Sequence, residues 1–231
     1  MNDFLVVETL GEDALLLRFG DAIDAQINRR VHACAAALQC DRPDWLIDIV
    51  PAFATLALCI DLDAFADARE PLTEVRRWLQ SRKLGTGADA VVASVRTHLI
   101  KVRYGGESGP DLEAVAAHAG LLPDAVIDRH CAAEYRVGML GFAPGFPYLI
   151  GMDAGLAMPR HATPRTRVDA GSVGIAGAQT GIYPRSGPGG WQIIGRTDES
   201  LFDVSRECPA LLEPGDSVRF INAAEADRSS P

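Results

Sequence analysis

Arginine and glutamine alternate with apolar residues near the end of the sequence, in residues 189–197, GGWQIIGRT. Strict β alternation places Gln192 and Arg196 on one face of a strand, opposite Trp191 and Ile193. A guanidinium beside a carboxamide suits a carboxylate or a phosphate, because arginine donates paired hydrogen bonds to such groups. The alternative is an arginine on a solvated sheet face. Four more arginines lie in the same half of the chain and favour an anionic ligand: Arg160, Arg165, Arg167 and Arg185.

Residues 171–181, GSVGIAGAQTG, are unusual for a strand. One face would carry Val173 and Ile175, whereas the other would carry almost no side chains. A bare face permits close approach of another backbone or of a ligand, and the sequence leaves both interpretations open. Gln179 and Thr180 end the run with groups that can hydrogen-bond an amide, so we predict that they contact the substrate.

A second unusual segment is residues 141–148, GFAPGFPY, in which glycines and prolines separate three aromatic residues. Proline restricts φ and glycine permits turns that a Cβ would block, so the segment is built to hold one shape. It is either a structural turn held by aromatic packing or the rigid wall of a pocket. The second interpretation makes Phe146 a pocket residue.

Two residues are candidates for proton transfer. His130 changes its charge near neutral pH, which suits a general acid or base. The alternative for a histidine at a helix end is a structural cap. Glu107 lies in a turn after residues 104–106, YGG, where it is a candidate site carboxylate.

Composition excludes several function classes. A net charge of -9 argues against a nucleic-acid binder, and no apolar run reaches the length of a membrane span. The acidic N-terminus does not resemble a secretory signal, so we expect a cytoplasmic protein. Five scattered cysteines without CxxC spacing predict neither a disulfide framework nor a metal site. The sequence also lacks a phosphate-binding loop, a dinucleotide fingerprint and the common hydrolase motifs.

The periodicity of apolar residues predicts an α+β protein with two domains. Residues 1–85 show the order ββαββα, which indicates a small α/β sandwich of ferredoxin-like character. The glycines in residues 83–89, KLGTGAD, mark the domain junction. Residues 89–222 begin with a half-buried strand and two helices. They then become rich in glycine, proline and short β-prone runs, which favours a β-barrel.

The second domain resembles a known family throughout. The similarity lies in YGGE (104–107), GPDL (109–112), YRV (135–137), GFAPGFPY (141–148), PR (164–165), GSVGIAG (171–177), QTGIYP (179–184) and GGWQIIGRT (189–197). This family includes the B subunit of 5-oxoprolinase, the kinase inhibitor KipI and subunit 1 of allophanate hydrolase, the last also found as a carboxyltransferase region of urea carboxylase. The resemblance implies a cyclophilin-like β-barrel for the C-terminal domain. The first domain matches more loosely, mainly at DIVPA (48–52).

The resemblance implies one component of an ATP-dependent enzyme that cleaves 5-oxo-L-proline, a small lactam, to L-glutamate. The partners would be the larger C subunit and the A subunit of 5-oxoprolinase, with ATP shared among the chains. We expect Arg165 and Arg196 to bind the anionic groups, and Gln179, Thr180 and Gln192 to bind the amide. Phe146 and Tyr183 would form pocket walls, and His130 or Glu107 would carry protons. Two alternatives remain: a urea- or allophanate-type carboxyltransferase or hydrolase component, and a KipI-like inhibitor of a histidine kinase.

Overall fold

The computed structural model describes residues 6–82 and 95–226. The chain divides into two compact units, Met1–Ser94 and Val95–Pro231. The junction predicted within residues 85–89 lies outside the described residues, so the boundary of the two domains stays a prediction. No helix in the two described ranges is long and apolar enough to cross a membrane.

Residues 6–82 form an antiparallel sheet in the order β1-β2-β4-β3, with two α-helices and a 3-10 turn. The elements are β1 (Val6–Leu10), β2 (Ala14–Arg18), α1 (Ala25–Cys40), β3 (Leu46–Pro51), β4 (Thr55–Ile60), the 3-10 turn (Leu62–Phe65) and α2 (Pro71–Ser81). Helix α1 begins where the Asp24 carboxylate accepts hydrogen bonds from the amides of Gln26 and Ile27, which satisfies free donors of the first turn.

The core of this unit lies between the sheet and the helices. Alternate residues of β4 are buried, among them Leu56 and Leu58, and they pack with Val31 of α1 and Val75 of α2. The predicted order ββαββα is confirmed. The ferredoxin-like character of the unit stays a prediction.

Residues 95–226 form a closed seven-stranded barrel in the order β10-β7-β6-β13-β5-β12-β9, and a separate two-stranded sheet of β8 and β11. The strands are β5 (Thr97–Tyr104), β6 (Tyr135–Leu140), β7 (Pro147–Ile150), β8 (Arg165–Val168), β9 (Ser172–Ala176), β10 (Gln179–Ile182), β11 (Gly187–Gly189), β12 (Gln192–Arg196) and β13 (Ser217–Asn222). The helices are α3 (Leu112–Ala119), α4 (Pro123–Ala132) and the short α5 (Ala223–Ala226), with a 3-10 turn at Ala154–Leu156. The predicted barrel is therefore confirmed.

One predicted strand is in fact a hairpin. Residues 171–181 divide into β9 and β10, which pair antiparallel with Gln179 opposite Ala176. The chain turns at Gly177, whose φ is 57°, a left-handed value that glycine adopts without steric cost. The turn changes which residues form the bare face but does not remove it, since Gly174 of β9 pairs with Gly181 of β10. A Cβ at either glycine would lie within 3.1 Å of Trp191, so this face allows the close approach of a side chain.

His130 connects parts of the barrel that do not pair with each other. It is completely buried on α4, with Nδ1 2.8 Å from the Tyr104 hydroxyl and Nε2 3.0 Å from Thr180 Oγ1. Thr180 donates its hydroxyl proton to the Gly174 carbonyl, so His130 Nε2 must be the donor to Thr180. Nδ1 then accepts from Tyr104. Since β5 and β10 are not adjacent in the barrel, this relay of neutral groups links two of its sides.

This burial has a consequence for the dependence of stability on pH. Burial lowers the pKa of His130 from 6.5 to about 3, whereas the unfolded chain takes up a proton near pH 6.5. The contribution of the neutral imidazole to stability is therefore complete above pH 6.5 and is lost as the pH falls toward 3. At pH 5 the loss is about 2 kcal/mol, because the folded-state pKa lies well below that pH.

We predict that His130→Gln, which cannot titrate, is less stable than the wild type at pH 7.5. The free-energy difference between the two proteins should shrink by about 2 kcal/mol at pH 5. Urea unfolding of both full-length chains at the two pH values measures it. A difference that stays constant with pH would show that His130 is not held neutral in the fold.

Candidate functional site

A cavity of about 310 Å³ opens on the second unit, and arginines line much of it. We call it the arginine cavity, and its lining residues are Glu107, Ser108, Pro110, Arg165, Arg167, Val168, Asp169, Ser172, Ile193 and Arg196. They come from the turn after β5, from β8 and its following turn, from the start of β9 and from β12. Three of the predicted site residues therefore share one cavity: Glu107, Arg165 and Arg196.

Strand β12 carries a bulge that decides which of its residues face the arginine cavity. Opposite β9, Ile193 pairs with Gly174 and Arg196 pairs with Ser172, so one extra residue of β12 lies between them. Ile193 and Arg196 therefore share a face, although they are three residues apart. The prediction that Gln192 and Arg196 share a face is wrong, because it assumed unbroken alternation.

Arg165 is held in the cavity wall by a carboxylate whose role the sequence does not indicate. Its Nη1 and Nη2 donate to the two carboxylate oxygens of Asp111 at 2.9 and 2.6 Å. The Asp111 side chain is only 8% exposed and also accepts from the Ile193 amide at 2.6 Å. Burial alone would raise the pKa of Asp111, but the hydrogen bonds from Arg165 and the Ile193 amide outweigh it and lower the pKa below its ordinary value.

Arg196 and Arg167 share a weaker and more exposed carboxylate. Asp169 lies 3.3 Å from Arg196 Nη1 and 3.1 Å from Arg167 Nε, and about half of its side chain is exposed. Ion pairs at such exposed positions contribute little, since water competes for both partners. The two guanidinium groups are consequently available to an incoming anion that displaces Asp169.

Glu107 reaches the cavity from a tight turn. Gly105 and Gly106 precede it with φ of 69° and 53°, which L-residues rarely adopt. At Gly109 a Cβ would lie 2.0 Å from the Ile194 carbonyl oxygen, so only glycine lets this segment approach β12 so closely. The YGGE and GPDL motifs thus form one turn beside β12, which brings Glu107 to the cavity and Asp111 to Ile193.

A smaller cleft of about 70 Å³ holds the predicted aromatic walls. We call it the aromatic cleft, and its lining residues are Phe142, Phe146, Tyr148, Arg160, Tyr183, Gly189, Gly190 and Trp191. Phe146 and Tyr183 meet edge to face with ring centroids 5.2 Å apart, and burial raises the pKa of Tyr183. Both residues also pack with Val168 and Ile193 of the arginine cavity, so one apolar cluster supports both sites.

The remaining predicted site residues line neither of these two sites. Thr180 is completely buried and binds His130, and Gln192 is buried with Nε2 donating to the Pro159 carbonyl at 2.9 Å. Gln179 is half-buried at the start of β10. The roles predicted for these residues and for His130 stay predictions, and their positions favour support of the barrel. Within residues 6–82 and 95–226, no group of three or more His, Cys, Asp or Glu residues is placed to hold a metal.

Known proteins resemble this chain along nearly its whole length. The 5-oxoprolinase B subunit of Bacillus subtilis (strain 168) is 44% identical over 226 residues, which cover 96% of this chain and 94% of that protein. The protein of the same name from Escherichia coli O157:H7 is 40% identical over 216 residues, or 94% and 95% of the two chains. The urea amidolyase of Saccharomyces cerevisiae is 32% identical over 129 residues, which cover 51% of this chain and 7% of that one.

Solved structures extend the similarity to the fold. The crystal structure of TTHA0988 superposes with a TM-score of 0.77 at 40% identity, covering 91% of this chain and 40% of that longer chain. Residues 5–212 match the family described as carboxyltransferase domain, subdomain C and D. Since the match spans most of the sequence and both units of the structure, the chain belongs to the carboxyltransferase subdomain C and D family, together with the proteins named as B subunits of 5-oxoprolinase.

Proposed function

We propose that this chain is one component of an ATP-dependent 5-oxoprolinase, which cleaves 5-oxo-L-proline to L-glutamate together with partner subunits. The observation that carries the proposal is the similarity, over more than nine-tenths of both chains, to two proteins named as B subunits of 5-oxoprolinase. The arginine cavity supports it, because its groups match a small acid that also contains an amide.

The substrate carboxylate would bind Arg196 and Arg167. These guanidinium groups line the cavity, and their common partner Asp169 is exposed enough to be displaced. Glu107 lines the same cavity and can accept a hydrogen bond from the lactam N–H. Ser172 and Ser108 supply hydroxyl donors for the lactam oxygen. Each functional group of 5-oxoproline thus has a complementary group in the arginine cavity.

The arginine cavity does not fit a nucleotide. Arg165 is already paired with Asp111, and Arg167 and Arg196 share Asp169. With Glu107 included, three arginines are balanced by three carboxylates, so the net charge of these groups is zero. A triphosphate needs a surplus of positive charge or a metal ion. At about 310 Å³ the volume also lies at the low end for ligand sites. We therefore assign no ATP-dependent step to residues of this chain and propose that a partner subunit supplies the nucleotide site.

The aromatic cleft is the surface that we propose for a partner, in the first place the larger C subunit of the enzyme. Phe142 at its rim is 66% exposed and has a φ of 64°, a strained value for a phenylalanine. The ring contacts Phe146 and Tyr183 at one edge, and most of its surface remains exposed. A strained residue with a largely exposed apolar ring is typical of a functional contact. In TTHA0988 the part that matches this chain is 40% of a longer polypeptide, which is consistent with a protein that works beside additional domains.

A second candidate function is a component of a urea- or allophanate-type carboxyltransferase or hydrolase. The family name and the partial similarity to urea amidolyase favour it. That similarity covers only half of this chain, whereas the similarity to the 5-oxoprolinase subunits is nearly complete. Turnover of 5-oxoproline, rather than of urea or allophanate, by the reconstituted complex would decide between the two.

Replacement of Arg196 tests the proposed carboxylate site. We predict that Arg196→Ala lowers kcat/KM for 5-oxoproline in the reconstituted complex by roughly 10- to 100-fold, the value of one charged hydrogen bond. The melting temperature should move by no more than about 4 °C, because the Asp169 pair is exposed. Arg219→Ala, at an exposed position on β13, is the matched control and should leave both quantities unchanged. Equal losses in the two variants would remove Arg196 from the site.

Replacement of Phe142 tests the partner surface. Phe142→Gly relieves the left-handed backbone but loses the edge-to-face contacts of the ring with Phe146 and Tyr183. Because these effects oppose each other, its melting temperature should lie within about 4 °C of the wild type. Its affinity for the larger partner subunit should fall about tenfold or more in calorimetric titration. The wild-type chain alone should release no glutamate from 5-oxoproline. Wild-type affinity in Phe142→Gly would place the interface elsewhere.

A further inference from the structure

Asp111 belongs to the GPDL motif, in which the sequence indicates only the start of a helix. It does occupy the position before the first residue of α3, yet its carboxylate caps no amide of that helix. The carboxylate instead accepts from the Ile193 amide at 2.6 Å and from Arg165 at 2.6 and 2.9 Å. A residue type that normally stabilises its own helix is used here for contacts 54 and 82 residues away.

The contact with Ile193 fixes the part of β12 that contains the bulge. The Asp111 amide donates to the Ile193 carbonyl at 2.9 Å, so both main-chain polar groups of Ile193 are held by one residue. The Gly105 amide binds the next carbonyl, that of Ile194, at 3.1 Å. Two residues further along is Arg196, and its side chain faces the arginine cavity because of this bulge.

The contact with Arg165 leaves that guanidinium little freedom. Arg165 Nη1 lies 2.9 Å from Asp111 and 2.8 Å from His161 Nε2. A guanidinium can only donate, so His161 Nε2 accepts and the imidazole proton is on Nδ1. The His161 amide donates in turn to the Gly190 carbonyl at 2.7 Å. Arg165 is thus oriented by two side chains, one of them anchored to the main chain beside Trp191.

We propose that Asp111 is a positioning residue of the arginine cavity, which holds Arg165 and the β12 bulge in the geometry that receives the ligand. Asp111 is buried and does not line the cavity, so it acts through these two contacts. It also takes up the charge of Arg165, which leaves Arg167 and Arg196 to meet the anion of the ligand. The identity of that ligand as 5-oxoproline rests on the proposed function. The contacts of Asp111 with Arg165 and Ile193 do not depend on it.

The first test is a double-mutant cycle in the reconstituted complex, with 5-oxoproline-dependent ATP hydrolysis as the measurement. Asp111→Asn keeps an acceptor for Ile193 and loses the charge opposite Arg165. We expect it to raise KM for 5-oxoproline about tenfold and to change kcat by less than about threefold. In the Arg165→Ala background it should add little, because the two residues act as one unit. Glu8→Gln, which breaks a partly exposed ion pair with Arg18 in the first unit, is the control and should leave KM unchanged.

The second test does not depend on activity. Phenylglyoxal labelling of the full chain, mapped by mass spectrometry, compares Arg165 with the exposed Arg167 as an internal reference. We expect Arg165 to react slowly in the wild type and about fivefold or more faster in Asp111→Asn, whereas Arg167 reacts equally in both. If the complex does not act on 5-oxoproline, the proposed function fails, and the labelling still decides the role of Asp111.

The inference would be overturned if Asp111→Asn left the labelling of Arg165 unchanged, or if the losses of Asp111→Asn and Arg165→Ala were additive. If Asp111→Asn does not fold, Arg165→Lys tests the same contact by changing the arginine instead of the aspartate. Lysine keeps the charge but cannot donate two parallel hydrogen bonds to Asp111. We expect Arg165→Lys to raise KM as Asp111→Asn would, and a wild-type KM for Arg165→Lys would contradict the inference.

Discussion

A carboxylate buried away from water must receive hydrogen bonds or remain protonated, and the candidate site is built around the way in which Asp111 meets this requirement. Its three strong donors are the two terminal nitrogens of Arg165 and the amide of Ile193. They belong to β8 and β12, so one buried charge joins both strands to the segment before α3. The arginine cavity lies where these three parts meet.

The same apolar cluster supports the arginine cavity and the aromatic cleft. Val168 and Ile193 contribute to the cavity, and Phe146, Tyr183 and Trp191 contribute to the cleft, yet all five pack together. A close-packed cluster transmits a displacement at one edge to the other. A partner that docks at the cleft would therefore stabilise the wall of the cavity. This arrangement gives a physical reason for the proposal that the site works only in a complex.

The elements that could be predicted from the sequence are those set by local patterns. The half-buried strand predicted at the start of the second domain is β5, in which Ile100 and Val102 alternate with exposed residues. The two helices of the predicted order ββαββα are α1 and α2, and α2 begins at a proline. Local patterns give a wrong prediction where a bulge or a turn interrupts the alternation of a strand. The bulge in β12 moved Gln192 away from Arg196, and the turn at Gly177 divided an expected strand.

The candidate site could be predicted only in part, because its contacts join distant parts of the chain. Residue type identified Arg165, Arg196 and Glu107, and the structure brings them together in one cavity. Asp111 could not be identified from the sequence, because an aspartate before a helix usually caps that helix. Its partner Arg165 lies 54 residues away in the chain. His130 has the chemistry of a catalyst but lies buried among Tyr104, Thr180 and Phe220.

A crystal structure of the reconstituted complex with 5-oxoproline bound would show directly whether the arginine cavity is the substrate site. We expect the lactam to occupy the arginine cavity, with its carboxylate within hydrogen-bonding distance of Arg196 and its ring beside Glu107. We also expect Asp111 to remain bound to Arg165 and the Ile193 amide. A lactam bound wholly within a partner subunit, with the arginine cavity free of ligand, would show that this chain does not bind the substrate.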